Sequence, residues 1–355
     1  MATIAVLGAG AMGSAFCVPL VDSGHEVHLI GTHLDRLLIE EVASTGYHPK
    51  IDSRLPEGIF THTIDKLSNV LRLQLDLVVL GVSSAGVDWA VKKLSEALTR
   101  LPPLLLLTKG LRADEGIIRT LPGYMAESLA RQGLDRAQIG AVGGPCIASE
   151  LAARRDSSVV FAYRENGVLE KVSSLFDCSH YHIRESTDVI GVELCAALKN
   201  FYAIAVGYPL GRAETGGKRY NAFNPSAAVF SQAISEMSYL VEHGGGSFHS
   251  VYGLPGLADL YVTCQAGRNS RLGRYLGRGL CYREIMEAQM RDETVEGAVL
   301  AAEVGPTILA LCEEGALDRG RIPLAVALIR SICDNSPFSI DWESFPACPT
   351  LQSSE

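Results

Sequence analysis

The stretch Thr3-Ile-Ala-Val-Leu7-Gly8-Ala-Gly10-Ala-Met-Gly13 decides how the first half of the chain folds. Its apolar run predicts a buried strand, and the glycine-rich turn after it leads into a segment with helical spacing and then a second apolar run. In this context G-x-G-x-x-G permits a tight turn, lets a pyrophosphate approach the backbone and packs helix against strand. We therefore predict that a dinucleotide binds at Gly8, Gly10, Ala11, Met12 and Gly13, the alternative being a purely structural glycine turn.

Further apolar runs alternate with helix-like segments through the first half of the sequence. This alternation predicts a parallel sheet covered by helices, the α/β class. We predict strands at Thr3–Leu7, Glu26–Ile30, Leu75–Leu80, Leu104–Leu107, Ile139–Val142 and Ser158–Ala162. The interval Thr45–Asn69 is irregular, and its pattern predicts no element.

The second half of the sequence has the spacing of long helices. From about Asp188 the apolar residues recur at helical intervals, at Ile190, Leu194, Leu198, Phe201 and Ala205. Asn224-Pro225 predicts the start of another helix and Gly244 its end, and further helices are predicted at 270–279, 281–291, 297–314 and 321–334. We predict a sheet-containing domain at 1–188, an all-helical domain at 189–345 and a disordered tail at 346–355.

Charge, cysteine usage and hydropathy restrict the partners and the compartment. The formal net charge of −9 argues against nucleic acid as a general partner, because phosphate backbones need a basic surface. The nine cysteines show neither a C-x-x-C pair nor zinc-like spacing, which fits a reducing compartment. The N-terminus has no basic leader, and the longest apolar run, Leu101–Leu107, is too short to span a bilayer. We expect a cytoplasmic protein without stable membrane insertion.

The end of the second strand bears on the choice between NAD and NADP. It reads Leu29-Ile-Gly31-Thr-His33 and lacks the acidic residue that would hold the ribose 2′-hydroxyl of NAD. Arg36 either reaches a 2′-phosphate or lies on the surface. The pattern thus favours NADP or dual use over strict NAD, and the preference stays open.

Lys199 is the most informative residue of the second half. Its predicted helix is apolar on every side, which indicates burial, and burying an ammonium is costly unless it is paired or lines a polar cavity. Desolvation lowers a lysine pKa, which suits general acid–base work. Lys199 is therefore a candidate catalytic or substrate-binding lysine, the alternative being a lysine that extends from a helix end to solvent.

Two other clusters carry candidate site residues. Lys109 follows a predicted strand, and the carboxyl ends of such strands are where open α/β sheets bind ligands, although Lys109 could equally face solvent. Asp259 could pair with Lys199 or cap a helix. Arg268-Asn269 appears at a predicted helix start, where a guanidinium and free amides suit a phosphate, or else form a surface basic turn.

Taken together, these residues resemble the NAD(P)-dependent glycerol-3-phosphate dehydrogenase family. The matching motifs run from about residue 3 to residue 335, and the ordered set is far more specific than any member. They are Gly8–Gly13, Thr108-Lys109-Gly110, Gly144-Pro145 with Glu150, Glu193–Asn200, Gly256–Leu260, Thr263-Cys264, Arg268-Asn269 and Val295-Glu296-Gly297.

The resemblance implies an N-terminal Rossmann-like parallel sheet domain followed by an all-helical C-terminal domain. It implies Lys199 as general acid–base, with Lys109 and Asp259 orienting and tuning the site. The implied substrate-binding residues are Lys109, Gly144, Thr263, Arg268 and Asn269. Those implied to contact NAD or NADP are the glycine loop, Lys109, Ala148, Arg268 and Glu296. The implied partner is a small phosphorylated substrate, and a homodimer is compatible with the resemblance.

Departures from the family pattern keep alternatives open. Gly143-Gly-Pro-Cys146 lacks two usual hydroxyls, Val82-Ser-Ser84 lacks a usual proline, and the segment 207–224 is longer than its counterpart. That segment is either a solvated surface loop or a cover that reshapes the substrate pocket for a longer phosphorylated ketose. Other readings are a ketopantoate-reductase-like or β-hydroxyacid-dehydrogenase-like enzyme, and a catalytically silent nucleotide sensor.

Overall fold

The structure is a computed structural model, and it describes residues 1–215, 221–265 and 267–346. The chain divides into two compact units. Unit 1 comprises Met1–Arg112, Arg119–Ala197 and Gly244–Asp259, and unit 2 comprises Ala113–Ile118, Leu198–His243 and Leu260–Glu355. All but the first residue of the predicted disordered tail at 346–355 lies outside the described residues.

Unit 1 is built on an eight-stranded sheet with the order β12-β11-β10-β7-β6-β1-β2-β5. The strands of the described chain are β1 (Thr3–Leu7), β2 (Glu26–Ile30), β3 (Tyr47–His48), β4 (Ser53–Arg54), β5 (Ile59–His62), β6 (Leu77–Leu80), β7 (Leu104–Leu106), β8 (Leu111–Asp114), β9 (Ile117–Thr120), β10 (Ile139–Gly143), β11 (Ser157–Ala162) and β12 (Tyr181–Ser186). β3–β4 and β8–β9 form separate two-stranded sheets.

The order of the strands places the glycine loop where ligands bind. β1 pairs in parallel with β2 on one side and with β6 on the other. The strand order therefore reverses its direction at β1. Ligands of doubly wound sheets bind beyond the carboxyl ends of the strands at such a switch point. The Gly8–Gly13 loop directly follows β1 at this point.

The sheet differs from the predicted one in three strands. The six predicted strands are present, but β11 runs antiparallel to β10, so the sheet is mainly rather than wholly parallel. β5 and β12 were not predicted. Both expose residues along their length, and their apolar pattern is correspondingly weak.

The described helices are α1 (Ala11–Asp22), α2 (Arg36–Thr45), α3 (Leu67–Leu71), α4 (Val87–Ala97), α5 (Leu121–Ala130), α6 (Ala148–Ala152), α7 (Asn166–Ser173), α8 (Val189–Thr215), α9 (Phe223–His243), α10 (Phe248–Tyr252), α11 (Asp259–Gln265), α12 (Arg268–Gly277), α13 (Tyr282–Ala288), α14 (Glu296–Glu313) and α15 (Pro323–Cys333). The predicted end of α9 at Gly244 is confirmed. The predicted N-cap at Asn224 is wrong, because the helix already begins at Phe223, although Pro225 does lie in its first turn as predicted.

α8 is the longest described helix, and most of it is buried. It is long and apolar enough to cross a membrane, but 89% of its most apolar window is buried inside the protein, as expected of a core helix. The predicted apolar character on every side of this helix is confirmed. Its first nine residues belong to unit 1 and the remainder to unit 2.

The first part of the segment 207–224, residues 207–215, is helical and not a surface loop. α8 continues through Gly207 to Thr215, so this prediction is wrong for those residues. An added Cβ at Gly207 or Gly211 would overlap the backbone carbonyls of Ser270 and Arg274 on α12. This close packing of two helix backbones within unit 2 explains the helical course. Lys218, Arg219 and Tyr220, which were predicted to belong to the loop, lie outside the described residues.

Candidate active site

The glycine loop has the geometry of a phosphate cradle. Gly8 has a φ of 110°, and an added Cβ would lie 2.7 Å from the carbonyl carbon of Gly81, so only glycine fits. An added Cβ at Gly13 would overlap the Gly8 carbonyl oxygen, whereas one at Gly10 would have its nearest neighbour, the Gly81 oxygen, at 3.9 Å. Gly10 therefore leaves open space in front of the first turn of α1, and this space suits a cofactor pyrophosphate.

The first turn of α1 supplies the donors for such a group. α1 begins at Ala11, and its N-cap residue Gly10 makes no side-chain hydrogen bond. Within an α-helix the first amides have no carbonyl partner, and they carry the positive end of the helix dipole. The backbone of Ala11, Met12 and Gly13 is therefore suited to bind the phosphates of a dinucleotide.

The acidic residue of the loop after β2, Asp35, forms hydrogen bonds within the loop. Asp35 Oδ2 accepts hydrogen bonds from the Thr32 amide at 2.9 Å and from the Thr32 hydroxyl at 2.8 Å. Arg36 lies at the start of α2 and forms an exposed ion pair with Asp65 at 2.7 Å. An exposed pair of this kind is weak enough to exchange its partner for a 2′-phosphate. The loop therefore leaves the choice between NAD and NADP open.

Lys109 and Asp259 form an ion pair within unit 1. The Lys109 Nζ lies 3.3 Å from Asp259 Oδ2, and Asp259 is only 2% exposed. Burial is the largest single influence on the pKa of Lys109 and lowers it, but the acidic groups around the ammonium, Asp259 first and then Cys146 and Glu193, together outweigh burial and raise the pKa. The neighbouring Thr108 hydroxyl donates to the Val82 carbonyl at 2.7 Å, which holds this segment beside the end of β6. Lys109 is thus a paired, largely buried lysine rather than a surface one.

Asp259 is positioned by an unusual turn. A π-helical turn at Leu254–Ala258 leads directly into α11, whose first residue is Asp259. An added Cβ at Gly256 would overlap the Val251 carbonyl oxygen, so the turn packs tightly on α10. π-helical turns are rare and occur often at functional sites. The predicted pairing of Asp259 with Lys199 stays a prediction.

The end of β10 approaches the same turn. Gly144 is buried with a φ of 126°, and an added Cβ at Gly143 would lie 2.9 Å from Pro255. These two glycines bring the β10 end to the turn that precedes Asp259. Cys146 and Ala148 follow at partly buried positions, Ala148 as the first residue of α6. Unit 1 therefore brings together Gly144, Lys109 and Asp259.

Unit 2 contains Lys199 in a buried setting. Lys199 is 8% exposed, which confirms the burial predicted from the apolar helix. Cys264 on α11 is its neighbour: burial raises the pKa of this thiol to about 12, while the Lys199 charge acts in the opposite direction. The preceding residue, Thr263, is partly buried. Lys199, Thr263 and Cys264 are thus held in one region of unit 2.

Asn269 connects three helices beside Lys199. Its side-chain amide donates to Asn200 Oδ1 at 3.1 Å, and its Oδ1 accepts from the Gly297 amide at 2.9 Å. Both the nitrogen and the oxygen of the Asn269 side-chain amide therefore form hydrogen bonds. These two bonds use only one of the two N–H groups. Asn200 received no role from the sequence, although its place in the Glu193–Asn200 motif was a usable signal.

Arg268 and Glu296 form an ion pair at the starts of α12 and α14. Both side chains remain nearly half exposed, so a ligand can reach them. The start of α14 lies against α8, because an added Cβ at Gly297 would overlap the Asn200 carbonyl oxygen. Unit 2 thus gathers Lys199, Thr263, Arg268, Asn269 and Glu296, all predicted site residues.

Sequence reasoning assigned no role to Glu193, a buried acid that interacts with Lys109. It is 0% exposed in the first turns of α8. The argument that singled out Lys199, a charged residue in a helix apolar on every side, applies equally to Glu193 and would have found it.

The doubly wound sheet and its glycine loop define the class of Rossmann-type dinucleotide-binding proteins. Family profiles described as the N-terminus and C-terminus of NAD-dependent glycerol-3-phosphate dehydrogenase match residues 3–168 and 188–338. The chain belongs to this family.

Individual relatives agree with the profiles. The chain is 35% identical over 287 residues to an NADP(+)-dependent glycerol-3-phosphate dehydrogenase of Archaeoglobus fulgidus, covering 80% of this chain and 82% of the relative. It is 31% identical to a glycerol-3-phosphate dehydrogenase [NAD(P)+] of Shouchella clausii, with 81% of each chain covered. A crystal structure of glycerol-3-phosphate dehydrogenase from Coxiella burnetii superposes with a TM-score of 0.78 at 26% identity, covering 95% of this chain and 96% of that one.

Proposed function

We propose that this chain catalyses the NAD(P)-dependent interconversion of glycerol 3-phosphate and dihydroxyacetone phosphate. The observation that carries the proposal is the ion pair of Lys109 with the buried Asp259. It places a cation after β7, at the carboxyl edge of the sheet whose first strand ends in the glycine loop, and this is the edge where such sheets bind ligands. The names of the relatives from Archaeoglobus fulgidus and Shouchella clausii support the same activity.

The proposed cofactor site uses the glycine loop and four further residues. The backbone of Gly8, Gly10, Ala11, Met12 and Gly13 binds the pyrophosphate, and Lys109, Ala148, Arg268 and Glu296 complete the contacts. A bound nicotinamide supplies or accepts the hydride, while the protein contributes orientation and electrostatics. We assign cofactor binding mainly to residues 1–188 and substrate binding mainly to residues 189–345, although Gly244–Asp259 packs with unit 1 and Ala113–Ile118 with unit 2.

Lys199 moves the proton at the substrate carbon–oxygen bond that is reduced or oxidised. Its burial excludes competing water and strengthens its interaction with a developing alkoxide. Lys109 and Asp259 orient the site, and Gly144 lines it with backbone. Thr263, Arg268 and Asn269 hold the substrate phosphate. The enzyme acts on a small phosphorylated substrate in the cytoplasm, and a homodimer is compatible with this assignment.

Oxidation of NADH and NADPH by the purified protein tests the proposal. We expect rapid turnover with dihydroxyacetone phosphate, measured by the loss of nicotinamide absorbance, and little turnover with four- and five-carbon ketose phosphates. The part of the 207–224 segment that the structure describes, Gly207–Thr215, does not border Lys199. Along α8 it begins eight residues after that lysine, a distance of roughly 12 Å at 1.5 Å per residue.

Other outcomes of the same assay contradict the proposal in distinct ways. Turnover with the longer ketose phosphates alone would keep the chemistry and change the substrate. Turnover with ketopantoate alone would indicate a ketopantoate-reductase-like enzyme. Cofactor binding without turnover of any substrate would indicate a silent nucleotide sensor. The ratio of the NADPH and NADH rates determines the cofactor preference.

Arg268 and Arg271 form a matched pair for testing phosphate binding. Both are about half exposed on α12, and each pairs with a glutamate, Arg268 with Glu296 and Arg271 with Glu293. We expect Arg268→Ala to raise the KM for dihydroxyacetone phosphate about 100-fold, the value of a charge-assisted hydrogen bond of about 2.7 kcal/mol. The cofactor KM should change far less, and Arg271→Ala should leave both KM values near those of the unmodified enzyme. Equal effects of Arg268→Ala on both KM values would refute its role in holding the substrate phosphate and leave only its contact with the cofactor.

A further inference from the structure

Glu193 is a buried carboxyl group to which the described residues offer no hydrogen-bonding partner. Its side chain is completely buried, and neither carboxylate oxygen has a hydrogen bond among the described residues. Leaving a buried polar group without a hydrogen bond destabilises the folded state, and leaving a charged group so destabilises it more. An apolar residue would stabilise this position in the core of the protein better. The fold therefore tolerates Glu193 at a cost, which calls for a functional explanation.

The groups around Glu193 belong to the proposed active site. Lys109, which follows β7, interacts electrostatically with Glu193 and is ion-paired with Asp259. Cys146, after β10, interacts electrostatically with Lys109, and Cys195, on the same helix as Glu193, interacts with Asp188 and Asp259. Asp188, which precedes α8, is engaged elsewhere, since its oxygens accept hydrogen bonds from Gly191, Ser247 and Ser250. Lys109 thus has two acids near it, of which only Asp259 is paired with it.

The protonation state of Glu193 follows from this setting. Burial raises its pKa to about 8, and the nearby Lys109 charge limits the rise. At neutral pH the carboxyl is therefore protonated, and the charge of Lys109 is balanced by Asp259 alone. Above pH 8 Glu193 ionises, and the group of three gains one net negative charge.

We propose that Glu193 is a positioning residue that controls how strongly Lys109 attracts an anionic ligand. When it is neutral, the Lys109 ammonium has a single carboxylate partner and attracts the negatively charged substrate. When it is ionised, it becomes a second counter-charge for Lys109 and repels that substrate. This inference rests on the proposed function, because it assigns Lys109 to the substrate site.

The pH dependence of substrate binding distinguishes this role from a merely structural one. For the unmodified enzyme we expect the KM for glycerol 3-phosphate to rise about tenfold between pH 7 and pH 9, the effect of a coupling of one pKa unit. In Glu193→Gln, which keeps the shape but cannot ionise, this rise should be absent while the KM at pH 7 stays close to normal. Glu170→Gln, an exposed glutamate on α7, should show the unmodified profile. A Glu193→Gln profile parallel to that of the unmodified enzyme would overturn the proposal.

Infrared spectroscopy tests the same inference without any turnover. The unmodified protein should show a protonated-carboxyl band at pH 7, and the part of it that disappears near pH 8 reports Glu193, since burial raises the pKa of the buried Glu236 only to about 7. In Lys109→Met the midpoint of this band should move to higher pH, because the cation that favours the ionised carboxyl is gone. A band whose midpoint does not move would overturn the coupling even if Glu193→Gln failed to fold. If the midpoint moves in Lys109→Met but the unmodified protein is inactive on every substrate, the proposed function is wrong while the coupling between Glu193 and Lys109 holds.

Discussion

Replacing Lys199 by Met should lower kcat for dihydroxyacetone phosphate reduction about 1,000-fold, which lies within the range that general acid–base catalysis contributes. Met preserves the length of the side chain and tolerates burial, so the fold of α8 should persist. The loss comes from the missing proton donor at the substrate oxygen. Stopped-flow or steady-state absorbance measurements of NAD(P)H oxidation give kcat directly.

Binding of the cofactor separates this effect from misfolding. NADPH fluorescence should report an affinity for Lys199→Met close to that of the unmodified enzyme, because the glycine loop lies in unit 1 and is untouched. Lys171→Met, an exposed lysine in the last turn of α7, provides the matched control and should keep full activity. Unchanged turnover in Lys199→Met would remove this lysine from the proposed mechanism.

Replacing Gly10 by Val should weaken cofactor binding by at least about 100-fold, or about 2.7 kcal/mol. Gly10 has a φ of −66°, which any residue adopts. The atom nearest to an added Cβ there would be the Gly81 carbonyl oxygen, at 3.9 Å. The protein itself therefore has room for a side chain there, but a pyrophosphate approaching the first turn of α1 does not. Isothermal titration with NADH and NADPH measures the loss.

Two other glycines provide the contrast for this experiment. Gly167→Val, on α7 with no atom within 4 Å of the added Cβ, should leave both stability and cofactor affinity unchanged. Gly13→Ala should instead lower the melting temperature, because its Cβ would overlap the Gly8 carbonyl oxygen. If Gly10→Val bound cofactor normally, the phosphates would have to lie elsewhere than at this turn.

Both site lysines illustrate how far sequence patterns reach. The burial of Lys199 was predictable, because an all-apolar helix buries every side regardless of what packs against it. The environment of Lys109 was not, because its partner Asp259 is 150 residues away along the chain. The bridging role of Asn269 between Asn200 and Gly297 depends in the same way on contacts between three separate helices.

The sequence by itself determined the elements that depend on local patterns: the glycine loop after β1, the main buried strands, the long helices of the second half and the family to which the chain belongs. These features follow from spacings of two and 3.6 residues and from glycines whose backbone geometry excludes other residues. Only the tertiary structure decided the antiparallel course of β11, the helical course of Gly207–Thr215, the partner of Lys109 and the burial of Glu193 without a hydrogen bond from the described residues. Each of these depends on which distant segments pack together, and packing between distant segments leaves no periodic trace in the sequence.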